Sequence, residues 1–210
     1  MDPQEYADRA EETIRADVRM ISGCEDKQTS ADVGNVSQFD LPDPAGRAGG
    51  ACTSALLNVL YKDEKSSASN LSFVDVLRKM RQDLQQGRFT QNPQLSSSRK
   101  IDLSHPFRVA DTTSSGGTRR AVLVGINYVG QNGQLSGCHN DVGNIQKYLI
   151  NVGGYQEQNM TVLLDDGKHT NPTRANIISS LQKLVEQSKA GDSVFFHYSG
   201  TTDSHFSFFF

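Results

Sequence analysis

RRAVLVGINY, residues 119–128, is the stretch that decides the fold. Most of it is a continuous apolar run, which is typical of a strand covered on both faces in a parallel sheet. Two helical patterns and two more apolar runs follow, in the order helix 142–152, strand 160–164, helix 177–185 and strand 193–198. Strands that alternate with helices in this way predict an α/β fold with a mainly parallel sheet flanked by helices.

The carboxyl ends of these three strands are where we expect chemistry, because ligands of parallel α/β sheets bind beyond those ends. The first end carries Asn127 and Tyr128, the second carries Asp165 and Asp166, and the third carries HYSG at 197–200. The sequence therefore predicts one edge of the sheet at which polar side chains from all three strands meet.

Upstream of this unit the chain has a different pattern. A short helix with Asp2 as its N-cap leads into a strand at 18–22, and two amphipathic helices are predicted at 51–61 and 72–87. An extended piece follows at 93–103. This part of the chain predicts strand, helix and helix rather than a strict alternation.

A predicted flexible linker separates the two parts. Residues 104–118, SHPFRVADTTSSGGT, are poor in large apolar side chains and rich in Ser, Thr and Gly. The chain therefore divides into a first segment at 1–103, this linker, a second segment at 119–200 and a tail at 201–210. Because 210 residues suffice for one well-formed core, we expect both segments to share it.

The composition argues against several classes of protein. A net charge of −3 with scattered Lys and Arg argues against a nucleic-acid partner. The N-terminal residues have no apolar core that could serve as a secretory signal, and no later run is long enough to cross a membrane. The three cysteines show no C-x-x-C spacing, so we expect neither a disulfide framework nor a zinc site, and a cytoplasmic location.

Short motifs in the second segment, taken in order, resemble the large-subunit half of a metacaspase, a caspase-like cysteine endopeptidase. They are RRAVLVGINY at 119–128, LSGCHNDVGNI at 135–145, VLLDD at 162–166, PTRANI at 172–177 and GDSVFFHYSG at 191–200. In the first segment, MISGCEDKQTSADV at 20–33 and PQLSSS at 93–98 resemble the small-subunit half. The small-subunit half thus comes first, an order that resembles the class called type III.

The resemblance implies a caspase-like three-layer fold, incomplete in this chain, and proteolysis after Arg or Lys in peptide or protein substrates. In the family, a His after the third large-subunit strand activates a Cys after the fourth. Thr201 stands at the position of that His, and the nucleophilic Cys would lie beyond the last residue. Four of the ten Phe fall at 206–210, in a tail unlike the family. We therefore expect an aberrant tail and a truncated, inactive chain.

By the same resemblance, Cys138, Asp141 and Ser199 form part of the pocket for the Arg or Lys side chain before the scissile bond. A carboxylate is the natural complement of a guanidinium group. Without the resemblance, Asp141 is more simply an acid at the N-terminus of a helix. Cys138 also begins that helix, where a thiolate is favoured, but the resemblance assigns it to the pocket rather than to nucleophilic attack.

We expect no catalytic role for the histidines. His197 lies inside an apolar run and should be a core residue or a residue that supports the site without contacting the substrate, whereas His139 and His169 should be solvated loop residues. His205 is a tail residue with no defined partner. The turn at 165–167 offers too few oxygen ligands for calcium, so we expect no metal and no cofactor in this chain, although intact metacaspases are often calcium-dependent.

Three functions remain open on the sequence. The first is a metacaspase-like endopeptidase, inactive in the form of this chain. The second is a non-catalytic caspase-like module that binds partners or regulates an active relative. The third, a phosphate- or nucleotide-binding α/β domain, is weak because neither a G-x-G-x-x-G nor a P-loop pattern follows the first apolar strand.

Overall fold

The computed structural model describes residues 2–25, 30–39, 41, 48–64, 70–110 and 116–201. Its helices are α1 (Pro3–Thr13), α2 (Ala51–Glu64), α3 (Phe73–Gln86), α4 (Cys138–Asn151) and α5 (Arg174–Gln187). Its strands are β1 (Arg19–Ser22), β2 (Asp32–Val33), β3 (Gly49–Gly50), β4 (Gln94–Ser97), β5 (Arg119–Gly125), β6 (Met160–Leu164) and β7 (Ser193–Ser199). No helix in these ranges is both long enough and apolar enough to span a membrane.

The second segment forms one parallel sheet in which β5 lies between β6 and β7. Successive side chains of β5 point to opposite faces. Leu123 packs in the same cluster as Leu149 of α4, whereas Val124 packs in the cluster that contains Ile177 of α5. The two helices therefore cover opposite faces of the sheet. The predicted α/β fold with a parallel sheet between helices is confirmed.

The first segment contributes two antiparallel pairs, β1 with β4 and β2 with β3. Helix α3 begins and ends where its sequence predicts. The Ser72 hydroxyl accepts a hydrogen bond from Asp75 N, and the Asp75 carboxylate accepts one from Ser72 N. Gly87 lies at the C-cap. This reciprocal capping satisfies two backbone donors that the first turn leaves unpaired.

Both segments contribute to one hydrophobic core. Leu57 and Met80 of the first segment share a buried cluster with Leu123 of the second. The rings of Tyr61 and Tyr148 meet edge to face between α2 and α4, with centroids 5.2 Å apart. The expectation of a shared core is confirmed, and α2 and α4 pack against each other in it.

Part of the predicted linker packs against the rest of the protein. Phe107 N donates a hydrogen bond to Leu71 O at 2.7 Å, and the Phe107 ring meets Phe73 edge-on at 5.1 Å. The Tyr155 hydroxyl donates to Val109 O at 3.0 Å. Residues 111–115 lie outside the described residues. The described part of the linker is thus held by contacts that its composition did not indicate, and the boundary at 104–118 stays a prediction.

Among the arginines in or beside the linker, we expect trypsin to cut first after Arg108. The Arg108 side chain is exposed, whereas Arg119 and Arg120 lie in β5 and Arg120 pairs with Asp192 at 2.6 Å. A strand that is paired in a sheet must unfold locally before a protease can reach a peptide bond inside it. Limited proteolysis with mass spectrometry identifies the first cut, with Arg108→Gln as control. Cleavage after Arg119 or Arg120 before Arg108 would contradict this expectation.

Candidate functional site

The three residues that the resemblance assigns to a pocket lie together at the carboxyl edge of the sheet. Cys138 and Asp141 stand in the first turn of α4, and Ser199 ends β7. Ser199 Oγ donates a hydrogen bond to Asp141 Oδ2 at 2.7 Å and also lies within hydrogen-bonding reach of the Cys138 thiol. We call this cluster of Cys138, Asp141 and Ser199 the Asp141 site.

The Asp141 carboxylate is buried at the contact between the two segments. The residue is only 1% exposed, and Gly50 N donates to its two oxygens at 2.9 and 3.0 Å. Because Gly50 directly precedes α2, the positive end of that helix faces the carboxylate. Burial raises the pKa of Asp141 to about 7, although hydrogen bonds from Ser199, Gly50 and Thr53 oppose the rise. The carboxyl group therefore titrates near neutral pH.

Cys138 carries a neutral thiol rather than the activated thiolate of a nucleophile. Burial raises its pKa to about 11, and the hydrogen bond with Ser199 opposes this rise. The carboxylates of Asp141, Asp32 and Asp165 contribute to the same rise by repelling a thiolate. A helix N-terminus favours a thiolate in general, but burial and these charges outweigh that effect here.

Three glycines whose role no sequence motif indicated make this close contact possible, namely Gly49, Gly50 and Gly137. A Cβ on Gly50 would lie 2.6 Å from Asp141 Oδ2. A Cβ on Gly137 would lie 2.5 Å from both Gly49 Cα and Asp32 Oδ1. Only glycine lets the two backbones and the carboxylate approach this closely. We call these three residues the glycine seam.

Two side chains beside the glycine seam also join the segments. Asp32 Oδ2 accepts hydrogen bonds from the backbone N and the hydroxyl of Ser136, at 2.9 and 3.1 Å. Asn140 Nδ2 donates to Ala48 O at 2.8 Å. The Asp141 site is therefore built from residues of both segments and depends on their association.

Thr201 follows β7 and is exposed at the same edge. The Tyr128 hydroxyl donates a hydrogen bond to Thr201 O at 2.6 Å, which ties the end of β5 to the end of β7. A threonine hydroxyl does not titrate near neutral pH as an imidazole does, so Thr201 cannot replace a histidine as general base. His205 lies outside the described residues.

The structure separates the remaining histidines. His197 is half-buried, but its Nε2 is buried and has no hydrogen-bond partner within the part of the chain that the structure describes, and burial lowers its pKa to about 4. Because the residue as a whole is only half-buried, the assignment of His197 to the core stays a prediction. The loop assignment of His139 is wrong, because it is the second residue of α4 and its Nε2 lies 2.6 Å from Asp165 Oδ1. His169 is exposed, with Nδ1 2.8 Å from Asp166 Oδ2.

Across the described ranges, no group of three or more His, Cys, Asp or Glu side chains is arranged to hold a metal ion. The two carboxylates of the turn at 165–167 bind backbone N–H groups and histidine rings instead. Asp165 accepts from Asn127 N, and Asp166 accepts from Lys168 N at 2.9 Å. At this edge the two carboxylates therefore hold backbone N–H groups and histidine rings through hydrogen bonds.

Comparisons with known proteins agree with this arrangement. A family model described as metacaspase, peptidase C14 domain, matches residues 119–207, and a caspase-domain model matches residues 3–103. The chain is 53% identical over 198 residues to Metacaspase III c of Phaeodactylum tricornutum, a match that covers 94% of this chain and 58% of that relative.

Fungal relatives match a smaller part. Metacaspase-1A of Aspergillus oryzae is 51% identical over 86 residues, which is 40% of this chain and 20% of the relative. Metacaspase-1 of Sclerotinia sclerotiorum is 49% identical over 99 residues, which is 46% of this chain and 22% of the relative. The chain thus spans between a fifth and three fifths of the length of these relatives. Since a metacaspase model and a caspase-domain model match the two segments, and a metacaspase is 53% identical over 94% of this chain, the chain belongs to the metacaspases, a family of caspase-like cysteine peptidases.

Proposed function

We propose that this chain carries the substrate-recognition part of a cysteine endopeptidase that cleaves after Arg or Lys. The observation that supports the proposal best is the buried carboxylate of Asp141, which lies beside Cys138 and Ser199 at the carboxyl edge of the sheet. A negative charge in a desolvated site selects strongly for a cation, and a guanidinium group can pair with both carboxylate oxygens.

The Asp141 site is closed in this structure, because Gly50 N covers both carboxylate oxygens. Entry of an Arg or Lys side chain therefore requires the backbone at Gly49 and Gly50 to move away from Asp141. Glycine can change its backbone conformation at low steric cost, which suits this movement. Part of the binding energy is spent on opening the site, so we expect small cationic ligands to bind weakly.

The proposal predicts that benzamidine, an aromatic amidinium that mimics the Arg side chain, binds to the Asp141 site in a pH-dependent way. Its positive charge requires an ionised Asp141, and burial raises the pKa of that carboxyl to about 7 in the free protein. The affinity should therefore be constant above this pKa and fall about tenfold per pH unit below it. Isothermal titration calorimetry between pH 5 and 8 measures the profile (about two units below to one above that pKa).

Asp141→Ala should weaken benzamidine binding by about 2 to 5 kcal/mol, because the variant leaves a desolvated cation without a partner. Benzyl alcohol, which has the ring but no charge, is the control ligand and should show no pH dependence. Equal benzamidine affinity in the wild type and Asp141→Ala would contradict the assignment of Asp141 to a cation pocket.

We also propose that the chain as it stands does not hydrolyse peptides. Thr201 stands at the position of the family's base, and the pKa of the Cys138 thiol is raised to about 11. Loss of either member of a nucleophile–base pair commonly costs several orders of magnitude in rate. Purified protein should give no turnover of Arg- or Lys-terminated fluorogenic peptides, with or without calcium. Turnover that Cys138→Ala abolishes would overturn this expectation.

The order of the two segments supports an assignment to type III. The caspase-domain match at 3–103 precedes the metacaspase match at 119–207, and the relative aligned over most of this chain bears the name Metacaspase III c. A non-catalytic binding or regulatory module remains the second candidate, because Thr201 lacks an imidazole. The two differ in benzamidine binding, which a module without a cation pocket would not show.

A further inference from the structure

Asp165, the residue that follows β6, is contacted by three hydrogen-bonding groups, two from the loop after β5 and one from α4. Asn127 N donates to Asp165 Oδ1 at 2.8 Å, and Val129 N donates to Asp165 Oδ2 at 3.2 Å. His139 Nε2 of α4 lies 2.6 Å from Asp165 Oδ1. Asp165 therefore holds the backbone after β5 and the first turn of α4 at the same time.

Asn127 extends this set of contacts to the Asp141 site. It is a buried residue, and its Oδ1 accepts a hydrogen bond from Cys138 N at 3.0 Å. Asn127 O accepts from Leu135 N at 2.8 Å, which closes the loop between β5 and α4. A continuous path of hydrogen bonds thus runs from Asp165 through Asn127 to Cys138, one helical turn before Asp141. We call Asp165, Asn127 and His139 the Asp165 relay.

The neighbouring carboxylate, Asp166, shows what a purely local role would look like. It accepts from Lys168 N and His169 N and contacts the His169 ring, so all of these contacts stay within its own turn. Asp165 makes none of its three contacts within that turn. The adjacent pair therefore provides one carboxylate that reaches the Asp141 site and one that does not.

The Asp165 carboxylate is suited to act as an anchor. Burial raises its pKa, but the hydrogen bonds from Asn127 N, the His139 ring and Val129 N outweigh burial and hold the pKa below its usual value. The side chain is 15% exposed and that of His139 is 22% exposed, so the contact is largely shielded from water. Hydrogen bonds to a shielded, ionised carboxylate are stronger than those between neutral groups.

We propose that Asp165 is a positioning residue for the Asp141 site: through Asn127 and His139 it fixes the first turn of α4, and so fixes where Cys138 and Asp141 stand. Asp165 touches no substrate in this role. The inference rests on the proposed function for its consequence in ligand binding, but the relay itself concerns only contacts within the chain.

The test compares Asp165→Ala with Asp166→Ala in two measurements. The first is amide hydrogen exchange by NMR, which follows the N–H of Cys138 without any ligand. We expect Asp165→Ala to speed this exchange about tenfold or more and Asp166→Ala to leave it within about twofold of the wild type. The second is benzamidine affinity at pH 8, which should fall about tenfold in Asp165→Ala only.

The two measurements separate the relay from the proposed function. If the wild type binds no benzamidine, the proposed function fails, while the exchange of Cys138 still tests the relay. If Asp165→Ala lowers the melting temperature but leaves both exchange and affinity unchanged, its role is only structural and the proposal is overturned. Equal losses in Asp166→Ala would overturn it as well.

A second variant covers the case in which Asp165→Ala does not fold. Asn127→Ala removes the acceptor of Cys138 N and keeps the backbone N–H that donates to Asp165. We expect the same faster exchange and the same loss of affinity. Wild-type behaviour of Asn127→Ala in both measurements would overturn the relay.

Discussion

Gly137→Ala is expected to destabilise the protein by about 3 kcal/mol or more, the upper range for overpacking of a tight contact. The new Cβ would lie 2.5 Å from Gly49 Cα and equally close to Asp32 Oδ1. One of these neighbours is backbone and cannot rotate away, so the two segments must separate locally. Urea denaturation followed by circular dichroism measures the loss.

Gly143→Ala is the matched control for this substitution. Gly143 lies in the same helix, α4, and a Cβ there would meet no atom within 4 Å apart from the neighbouring backbone of that helix. Since alanine favours a helix interior over glycine by about 1 kcal/mol, this variant should be as stable as the wild type or more so. If Gly137→Ala and Gly143→Ala were similarly stable, the close approach of the backbones at the glycine seam would not be required for stability.

The second large effect is a dependence of the unfolding free energy on pH, to which the pKa shifts of His197 and Asp141 contribute with opposite signs. Burial lowers the pKa of His197 from 6.5 to about 4 and raises the pKa of Asp141 from 3.8 to about 7. Between these limits the unfolded chain gains a proton at His197, and the folded chain retains one at Asp141. The His197 contribution to stability is present above pH 6.5 and lost as pH falls toward 4. The Asp141 contribution is present below pH 3.8 and lost as pH rises through 7.

Single variants should reveal these opposite slopes. Relative to wild type, His197→Leu should gain about 3 kcal/mol in unfolding free energy as pH falls from 6.5 to 4, and Asp141→Asn should gain about 4 kcal/mol as pH rises from 4 to 7. Urea titrations at each pH give both profiles. His105→Leu is the control for removal of an exposed imidazole. If the difference in unfolding free energy from the wild type changed with pH in the same direction for both variants, the opposite contributions of the two groups would be refuted.

The sequence predicted the elements well where the information is local. The alternation of apolar runs and helical patterns after residue 119 gave β5, β6, β7 and the two helices between them. The predicted helix at 72–87 agrees with α3, whose start is fixed by Ser72 and Asp75 capping each other three residues apart. Such patterns are visible because the interacting groups are neighbours in sequence.

The candidate site could be predicted only in part. The resemblance brought Cys138, Asp141 and Ser199 together, but not the backbone of Gly50 that covers the carboxylate. That contact joins positions far apart in the chain, and no composition or periodicity encodes it. The partner of His139 was missed for the same reason, because Asp165 reaches it from the end of another strand.

The described part of the linker shows a third limit of prediction. Its composition predicts flexibility, yet Phe107 finds a partner in Phe73. An aromatic residue in a polar stretch helps to dock a connection when another ring lies within reach, and backbone hydrogen bonds add to the contact here. The overall composition of residues 104–118 is polar and so does not indicate the packing of Phe107, which is a property of that one side chain.

The common core has a consequence for how the gene can be arranged. Leu57 and Met80 pack in the same cluster as Leu123 even though a long connection separates them along the chain. Packing of this kind depends on proximity in space and not on which half is translated first. Two polypeptides expressed separately, one for each half, should therefore reassemble by complementation, and a circularly permuted gene should encode the same protein interior.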